Sequence, residues 1–344
     1  MQLSSSTQDE PERHPGTGIE SPSREPFSRQ KFLRRERTAV NRALWQDEAG
    51  IAGVIRENAV PTTVAGNEIL VKVNAWAMNP ADAILQDAAL SAIKYSPILG
   101  KDVAGTFKVG DRVLGLALGA AVFKTEQGAF QEYVILDYTL ACKIPDSLSF
   151  ADASVFPLCI ATAAYGLFSK DYLGLPLPNI NTTNSGVGSN AIQLNKAAGF
   201  KVITTCSTHN FDYVKHLGAD KVFDYKDTSV IDMIVAELDS GDALAFYKLP
   251  SKHKLRVAAS NPVPEGMAPA DIEVKMIFAG GTAIYYETSP ATFAGYLPEA
   301  LAKDLYQVAP TPQSVPTKGL EGIREALNIL KKGISAKKLV TLAK

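Results

Sequence analysis

The sequence predicts an α/β protein in two parts, a β-rich domain followed by a doubly wound parallel sheet. Three observations carry that expectation. Between Ala52 and Asp146, short apolar runs are punctuated by glycine and proline. From Phe150 onward, helical stretches alternate with short β-branched runs, the pattern of βαβ units. At 344 residues the chain has room for two cores, since domains usually run to about 100–200 residues.

The first 40 residues are rich in Ser, Pro, Glu and Arg and show no apolar periodicity. Such a composition buries too little apolar surface to offset the entropy of ordering, so residues 1–40 read as a disordered tail. The basic cluster from Arg29 to Arg37 reads as a solvated charge run. Strands are expected at Ala52 to Arg56, Glu68 to Ala75, Asp111 to Leu116 and Ala129 to Ile135. In the second, Ile69, Val71 and Val73 alternate with Glu68, Lys72 and Asn74, as a half-buried strand requires. Beyond Phe150 helices are expected at Val187 to Ala198, Phe211 to Leu217 and Ser229 to Leu238. Strands are expected at Lys201 to Thr205, Lys221 to Asp224 and Leu255 to Ala259. Leu320, Ile323, Leu327 and Leu330 mark one face of a late helix, with Lys331 and Lys332 in its last turn and Gly333 as its C-cap. Val340 and Leu342 read as a closing strand.

Composition excludes several functions. A formal charge of −1 gives no basic field for nucleic acid or an anionic membrane. No apolar run reads as reaching the roughly 18–20 residues that span a bilayer. Three cysteines, Cys142, Cys159 and Cys206, are too widely spaced for a CxxC site and too few for a disulfide framework, so a cytoplasmic setting is expected.

Ser185-Gly186-Val187-Gly188 opens a predicted helix. A glycine turn there lets backbone N–H groups approach a pyrophosphate at the positive helix end, or is simply a helix entry. About 20 residues on, where an acid would hold the ribose of NAD, the chain carries Ser207, Thr208 and His209, with Tyr225 after the next strand. Small hydroxyls and a histidine suit the 2′-phosphate of NADPH. The alternative is that Ser207 and Thr208 cap the following helix.

Six motifs then occur in order. They are Asn79-Pro80-Ala81-Asp82, Leu99-Gly100-Lys101-Asp102-Val103-Ala104-Gly105, Val109-Gly110-Asp111-Arg112-Val113, Gly128-Ala129-Phe130-Gln131-Glu132-Tyr133, Thr162-Ala163-Ala164-Tyr165-Gly166-Leu167 and Leu217-Gly218-Ala219-Asp220. Together they resemble the medium-chain dehydrogenase/reductase superfamily, and within it the zinc-independent quinone and enoyl reductases of the fungal trans-enoyl reductase type. The resemblance implies a GroES-like β domain over residues 41–149, a Rossmann-type NADP-binding domain over 150–275, and a segment 276–344 that returns to the first domain. It implies Asn79 and Thr162 as catalytic positions and Asp82 near the nicotinamide. Ser185, Gly186, Val187 and Gly188 would lie on the pyrophosphate, and Ser207, Thr208, His209 and Tyr225 around the 2′-phosphate. The three zinc-ligand places of the metal-dependent relatives are here Asn79, Lys101 and Cys159, so no metal is expected.

Three segments read as short against that pattern. Gly105-Thr106 runs straight into Phe107 without a hairpin, Pro176 to Asn184 lacks the β-branched strand that should lead into the glycine turn, and Asp242 to Lys254 lacks another. Loss of the central strand would expose its neighbours' edges and misplace the turn, so the Rossmann-type sheet is expected to be incomplete. The leading expectation is an NADPH-dependent reductase of an enone, enoyl thioester or quinone. Alternatives are a trans-acting partner of a polyketide synthase, and a catalytically silent member of the family. A homodimer is compatible with the resemblance.

Overall fold

The computed structural model describes residues 40–88, 97–108, 111–178, 189–239, 255–260, 264, 266, 272–277 and 288–344. All belong to one unit, Ala39–Lys344. Most of the tail expected over residues 1–40 lies outside the described residues, as does the glycine turn. Val40 is a correction to that boundary: it opens strand β1 (Val40–Trp45), which pairs antiparallel with β2 (Val54–Ala59).

The β-rich half is a seven-stranded sheet built on β3 (Glu68–Ala77). Ile69, Val71 and Val73 are all buried, while Lys72 between them is exposed, so the predicted alternation holds. One stretch of β3 pairs with β6 (Tyr133–Asp137), the other with β4 (Asp102–Lys108) and β13 (Lys337–Leu342), all antiparallel. Strand β5 (Asp111–Leu116) follows β4, and β7 (Ala141–Lys143) completes that side. The register pairs Lys108 with Asp111, so β4 and β5 join directly where a longer hairpin was missed in the sequence. Strand β12 (Thr311–Ser314) flanks β13 in parallel.

Two glycines of the Leu99-to-Gly105 motif are explained by space. Gly100 has φ +88°, and a Cβ there would sit 2.3 Å from the Phe130 ring. At Gly105 it would sit 2.2 Å from the Lys72 carbonyl oxygen on β3. Two further motifs have structural roles. Arg112 donates to the carbonyls of Pro145 (2.8 Å) and Leu148 (2.7 Å), and Asp220 accepts from Val202 N (2.6 Å) and Lys196 Nζ (2.9 Å).

Helix α1 (Pro80–Asp87) follows β3, α2 (Gly119–Val122) follows β5, and α3 (Phe150–Ser154) with α4 (Pro157–Phe168) line the main core. The stretch Phe150–Phe168 corrects the reading that no apolar run reaches membrane length. Its mean hydropathy is 1.4, but 72% of it is buried inside the fold, the signature of a core helix.

The second half holds α5 (Ser189–Ala197), β8 (Ile203–Cys206), α6 (Phe211–His216), β9 (Lys221–Asp224) and α7 (Val230–Asp239), close to the predicted spans. Strands β8 and β9 pair in parallel, and so do β10 (Leu255–Ala259) and β11 (Ile272–Met276). Among the described residues these are two separate ladders, with no strand linking β8 to β10. Of the two segments that read as short here, 179–184 and the whole of Asp242 to Lys254 lie outside the described residues. The chain then runs through a π-helical turn (Pro290–Tyr296) into α8 (Leu297–Ala302) and α9 (Leu320–Leu330). Leu320, Ile323 and Leu327 are buried in α9, Leu330 is half-buried, and Gly333 has φ +89° just past its end.

Candidate active site

Asn79 and Asp82 sit at the start of α1. Asp82 Oδ2 accepts from the Asn79 backbone N–H (2.8 Å) and side-chain amide (3.3 Å), which satisfies donors that a helix start leaves unpaired. The same amide donates to Asp102 Oδ2 (3.1 Å) on β4. Asp102 Oδ1 accepts from Leu158 N (2.7 Å), so this buried carboxylate also caps α4. Lys338 on β13 completes the arrangement. Its ammonium donates to Asp102 Oδ2, to Val155 O (3.1 Å) and to Cys159 Sγ (3.3 Å).

Six residues from four elements or their edges thus meet: Asn79, Asp82, Lys101, Asp102, Cys159 and Lys338. Sequence reasoning found Asn79, Asp82, Lys101 and Cys159 and missed the two that hold the cluster together. Burial pushes the Asp82 carboxyl up to about 6, against the opposing hydrogen bond from Asn79 and the charge of Lys101. Burial also lowers Lys101, whose ammonium feels Asp82 and Asp102. Lys338 goes the other way: burial disfavours its charge, but Asp102 and Cys159 outweigh that and hold it protonated. The Cys159 thiol is raised by burial, the Lys338 charge notwithstanding. Thr162 lies one turn beyond Cys159 on α4, half-buried. Among the described residues no group of three or more His, Cys, Asp or Glu is placed to hold a metal.

A second group forms at the carboxyl ends of β8 and β9, where parallel sheets bind ligands. Ser207 follows β8, and its Oγ lies 3.3 Å from His209 Nε2 and accepts from Asn210 Nδ2 (3.4 Å). The Ser207 hydroxyl makes no backbone cap on the turn Thr208–Asn210, so the capping alternative does not describe it. Thr208 and His209 are exposed. Tyr225 follows β9, its N–H donating to Cys206 O (3.4 Å), with its ring 56% exposed. The structure therefore brings Ser207, Thr208, His209 and Tyr225 to one edge. It adds Lys226, whose ammonium lies 5.9 Å from the Tyr225 ring centroid. Being the cation next to a suspected phosphate contact was the signal that could have found it.

Ser185, Gly186, Val187 and Gly188 lie outside the described residues, but the helix they precede is in place. Ser189 Oγ is 3.0 Å from the Tyr213 hydroxyl on α6. The Tyr213 phenol is raised by burial, with the Ser189 hydrogen bond opposing. Helix α5 is clamped from behind. Asn190 donates to Ala309 O (2.9 Å) and accepts from Tyr306 OH (2.7 Å), and the Gln193 amide makes two bonds to the Gln307 backbone (2.8 and 3.0 Å). A surface depression of about 490 Å³ lies elsewhere, on α1 beside Ala83, Ile84, Asp87 and Lys331, and holds none of this chemistry.

Two family models match the chain: an alcohol dehydrogenase GroES-like domain over residues 65–146, and a zinc-binding dehydrogenase over residues 186–248. The dehydrogenase azaJ of Aspergillus niger is 39% identical over 331 aligned positions, covering 83% of this chain and 94% of the relative. Those positions outnumber the residues that 83% of this chain supplies, so the relative carries stretches this chain lacks. The trans-enoyl reductase himH of Aspergillus japonicus is 34% identical, covering 88% of this chain and 97% of itself. Among solved structures, an alcohol dehydrogenase superfamily protein from Novosphingobium aromaticivorans superposes with a TM-score of 0.65 at 25% identity, covering 88% of this chain and all of its own.

Proposed function

We propose, from the premise that this chain belongs to the medium-chain dehydrogenase/reductase superfamily, that it is an NADPH-dependent oxidoreductase reducing an activated carbon–carbon double bond or a quinone without zinc. The observation that carries the cofactor is the edge at the ends of β8 and β9. Ser207 offers a hydroxyl not committed to the backbone, Thr208 and His209 are exposed beside it, and Lys226 adds positive charge. No acid occupies the place after β8 where one would hold the ribose hydroxyl of NAD. This donor set fits a 2′-phosphate, and the start of α5 fits the pyrophosphate through the dipole of the helix.

NADPH bound there supplies a hydride to an electron-poor carbon. The chain's own part is to orient the acceptor and to stabilise the negative charge that develops on it. Zinc independence is supported by what surrounds Asn79. Lys101 and Lys338 bring two cations to the place, and Cys159 already accepts a hydrogen bond from Lys338. A divalent ion there would face two ammonium groups and find a single sulfur ligand.

Fluorescence titration of the purified chain with NADPH, with NADH as control, tests the reading. Saturable binding that prefers NADPH, weakened at least roughly tenfold in Ser207→Glu by repulsion of the phosphate, is the expected result. Absence of binding by folded protein would overturn it and favour the silent alternative. A second reading follows from himH: the acceptor is an enoyl group carried by a polyketide synthase, with this chain acting in trans. Reduction of carrier-bound but not free enoyl thioesters separates the two.

A further inference from the structure

We infer that the outer edge of β11 is a docking surface for a second copy of this chain, paired antiparallel about a two-fold axis at Val274. This goes beyond the reductase reading and does not rest on it.

The direction of the backbone decides which groups are on offer. In a parallel ladder the N–H and C=O of one residue point to one side, and those of the next residue to the other. The Ile277 N–H donates to Ala259 O (2.7 Å) on β10. By the same alternation Lys275 and Glu273 direct their backbone groups to β10, while Ile272, Val274 and Met276 direct theirs outward. Among the described residues β10 is the only strand beside β11. Glu273, Lys275 and Met276 are exposed, which puts open surface on both faces of the strand. An outward row of unpaired N–H and C=O groups is a template for another strand.

The sequence along that edge is complementary to itself. A two-fold axis perpendicular to the sheet pairs residues that stand equally far on either side of its centre. With the centre at Val274, Val274 faces its own copy, Ile272 faces Met276 and Glu273 faces Lys275. The outward backbone groups then meet as hydrogen-bonded pairs. Glu273 and Lys275 fall at the intervening positions, where side chains across the ladder come closest. A carboxylate–ammonium pair forms on each side of the axis. Opposite charges directly across a ladder stabilise it, and like charges destabilise it. Moving the centre by one residue sets Glu273 against Glu273 or Lys275 against Lys275, so charge selects the register. The match belongs to two copies of one strand, which makes a second copy the occupant.

Side chains agree on both faces. Val274 would meet Val274 of the second copy beside Val257 and Met276, each 44% exposed in the single chain. On the other face the Lys275 ammonium lies 4.8 Å from the Tyr172 ring centroid and donates to Asp171 O (3.1 Å). An ammonium has further donors, which are left for Glu273 of the second copy. A five-residue edge is smaller than a standard interface. The dimer is therefore expected to be weak and to depend on concentration.

Sedimentation of the full-length chain between about 1 and 100 µM tests this. Wild type is expected to pass from monomer to dimer in that range. Glu273→Lys sets lysine against lysine on both sides of the axis and is expected to weaken association roughly tenfold or more. Adding Lys275→Glu to the same chain restores opposite charges with their places exchanged. Affinity should then return to within about threefold of wild type. Val274→Pro removes an outward N–H without touching the bonds to β10, and should abolish the dimer. A wild type that stays monomeric at about 100 µM overturns the proposal, whatever else binds this edge. So does a dimer that Glu273→Lys leaves unchanged, because it must use another face. Circular dichroism confirms that each variant is folded, and the charge exchange still decides if Val274→Pro is not.

Discussion

At the scale of single residues, the balance of buried charges makes Asp82 a pH-dependent weak point. Its carboxyl titrates at about 6 because burial disfavours the anion, so the folded chain holds a proton that the unfolded chain has released. Stability from this group is therefore full below the ordinary value of 3.8 and declines as pH rises to about 6. Asp82→Asn keeps an acceptor for Asn79 and removes the titration, so its melting temperature is expected to be flatter than wild type across that window. Glu321 acts in the opposite sense. The hydrogen bond from Arg42 holds it at about 2, so its contribution is present above 4.5 and lost toward acid. Much of this cluster was legible in the sequence, because Asn79, Asp82 and Lys101 stand in recognisable motifs and Cys159 falls at a zinc-ligand place of the metal-dependent relatives. Asp102 and Lys338 were not singled out, because their meaning lies in a contact 236 residues apart that no local pattern encodes.

At the scale of elements, the strands and helices that bury a face were the legible ones. The spans of β5, β9 and β10 were read to the residue, and α6 and α7 to within one. Strand β12 escaped because Thr311-Pro312-Gln313-Ser314 has no apolar alternation; it is a strand because β13 lies beside it. The π-helical turn Pro290–Tyr296 escaped for a similar reason, being fixed by the packing of Phe293 and Tyr296 in the main core. Helix α5 carries the cofactor argument, and its placement depends on the clamp behind it. Tyr306→Phe leaves the Asn190 amide oxygen buried and unmatched, so it is expected to lower unfolding free energy by about 1–3 kcal/mol. Urea denaturation measures that loss, and NADPH affinity should fall with it if the clamp positions the helix.

For the whole molecule, the β-rich half and the alternation of the second half were both visible in the sequence, but the wiring between distant segments was not. Strand β13 lies between β12 and β3 and supplies Lys338, so the last strand completes the first domain's sheet. Removing residues 337–344 should therefore do more than fray an end. It leaves one edge of β3 unpaired at Ala75 to Ala77, where only β4 remains beside it, and Asp102 without its cation. Loss of one partner of a buried ion pair alone costs about 3–5 kcal/mol, a large share of a typical domain's stability. The truncated protein is expected to show no cooperative thermal transition by circular dichroism, and a normal transition would mean that the pairing is dispensable.

The pairing of Asp102 with Lys338 also sets a schedule for synthesis. A ribosome adding about 5–20 residues per second takes on the order of 10–50 s to pass from one to the other. Throughout that interval Asp102 has no cation to meet it, and the pair can form only once residue 338 has emerged. The sheet of the first half is therefore finished last, by a strand made after nearly all of the second half.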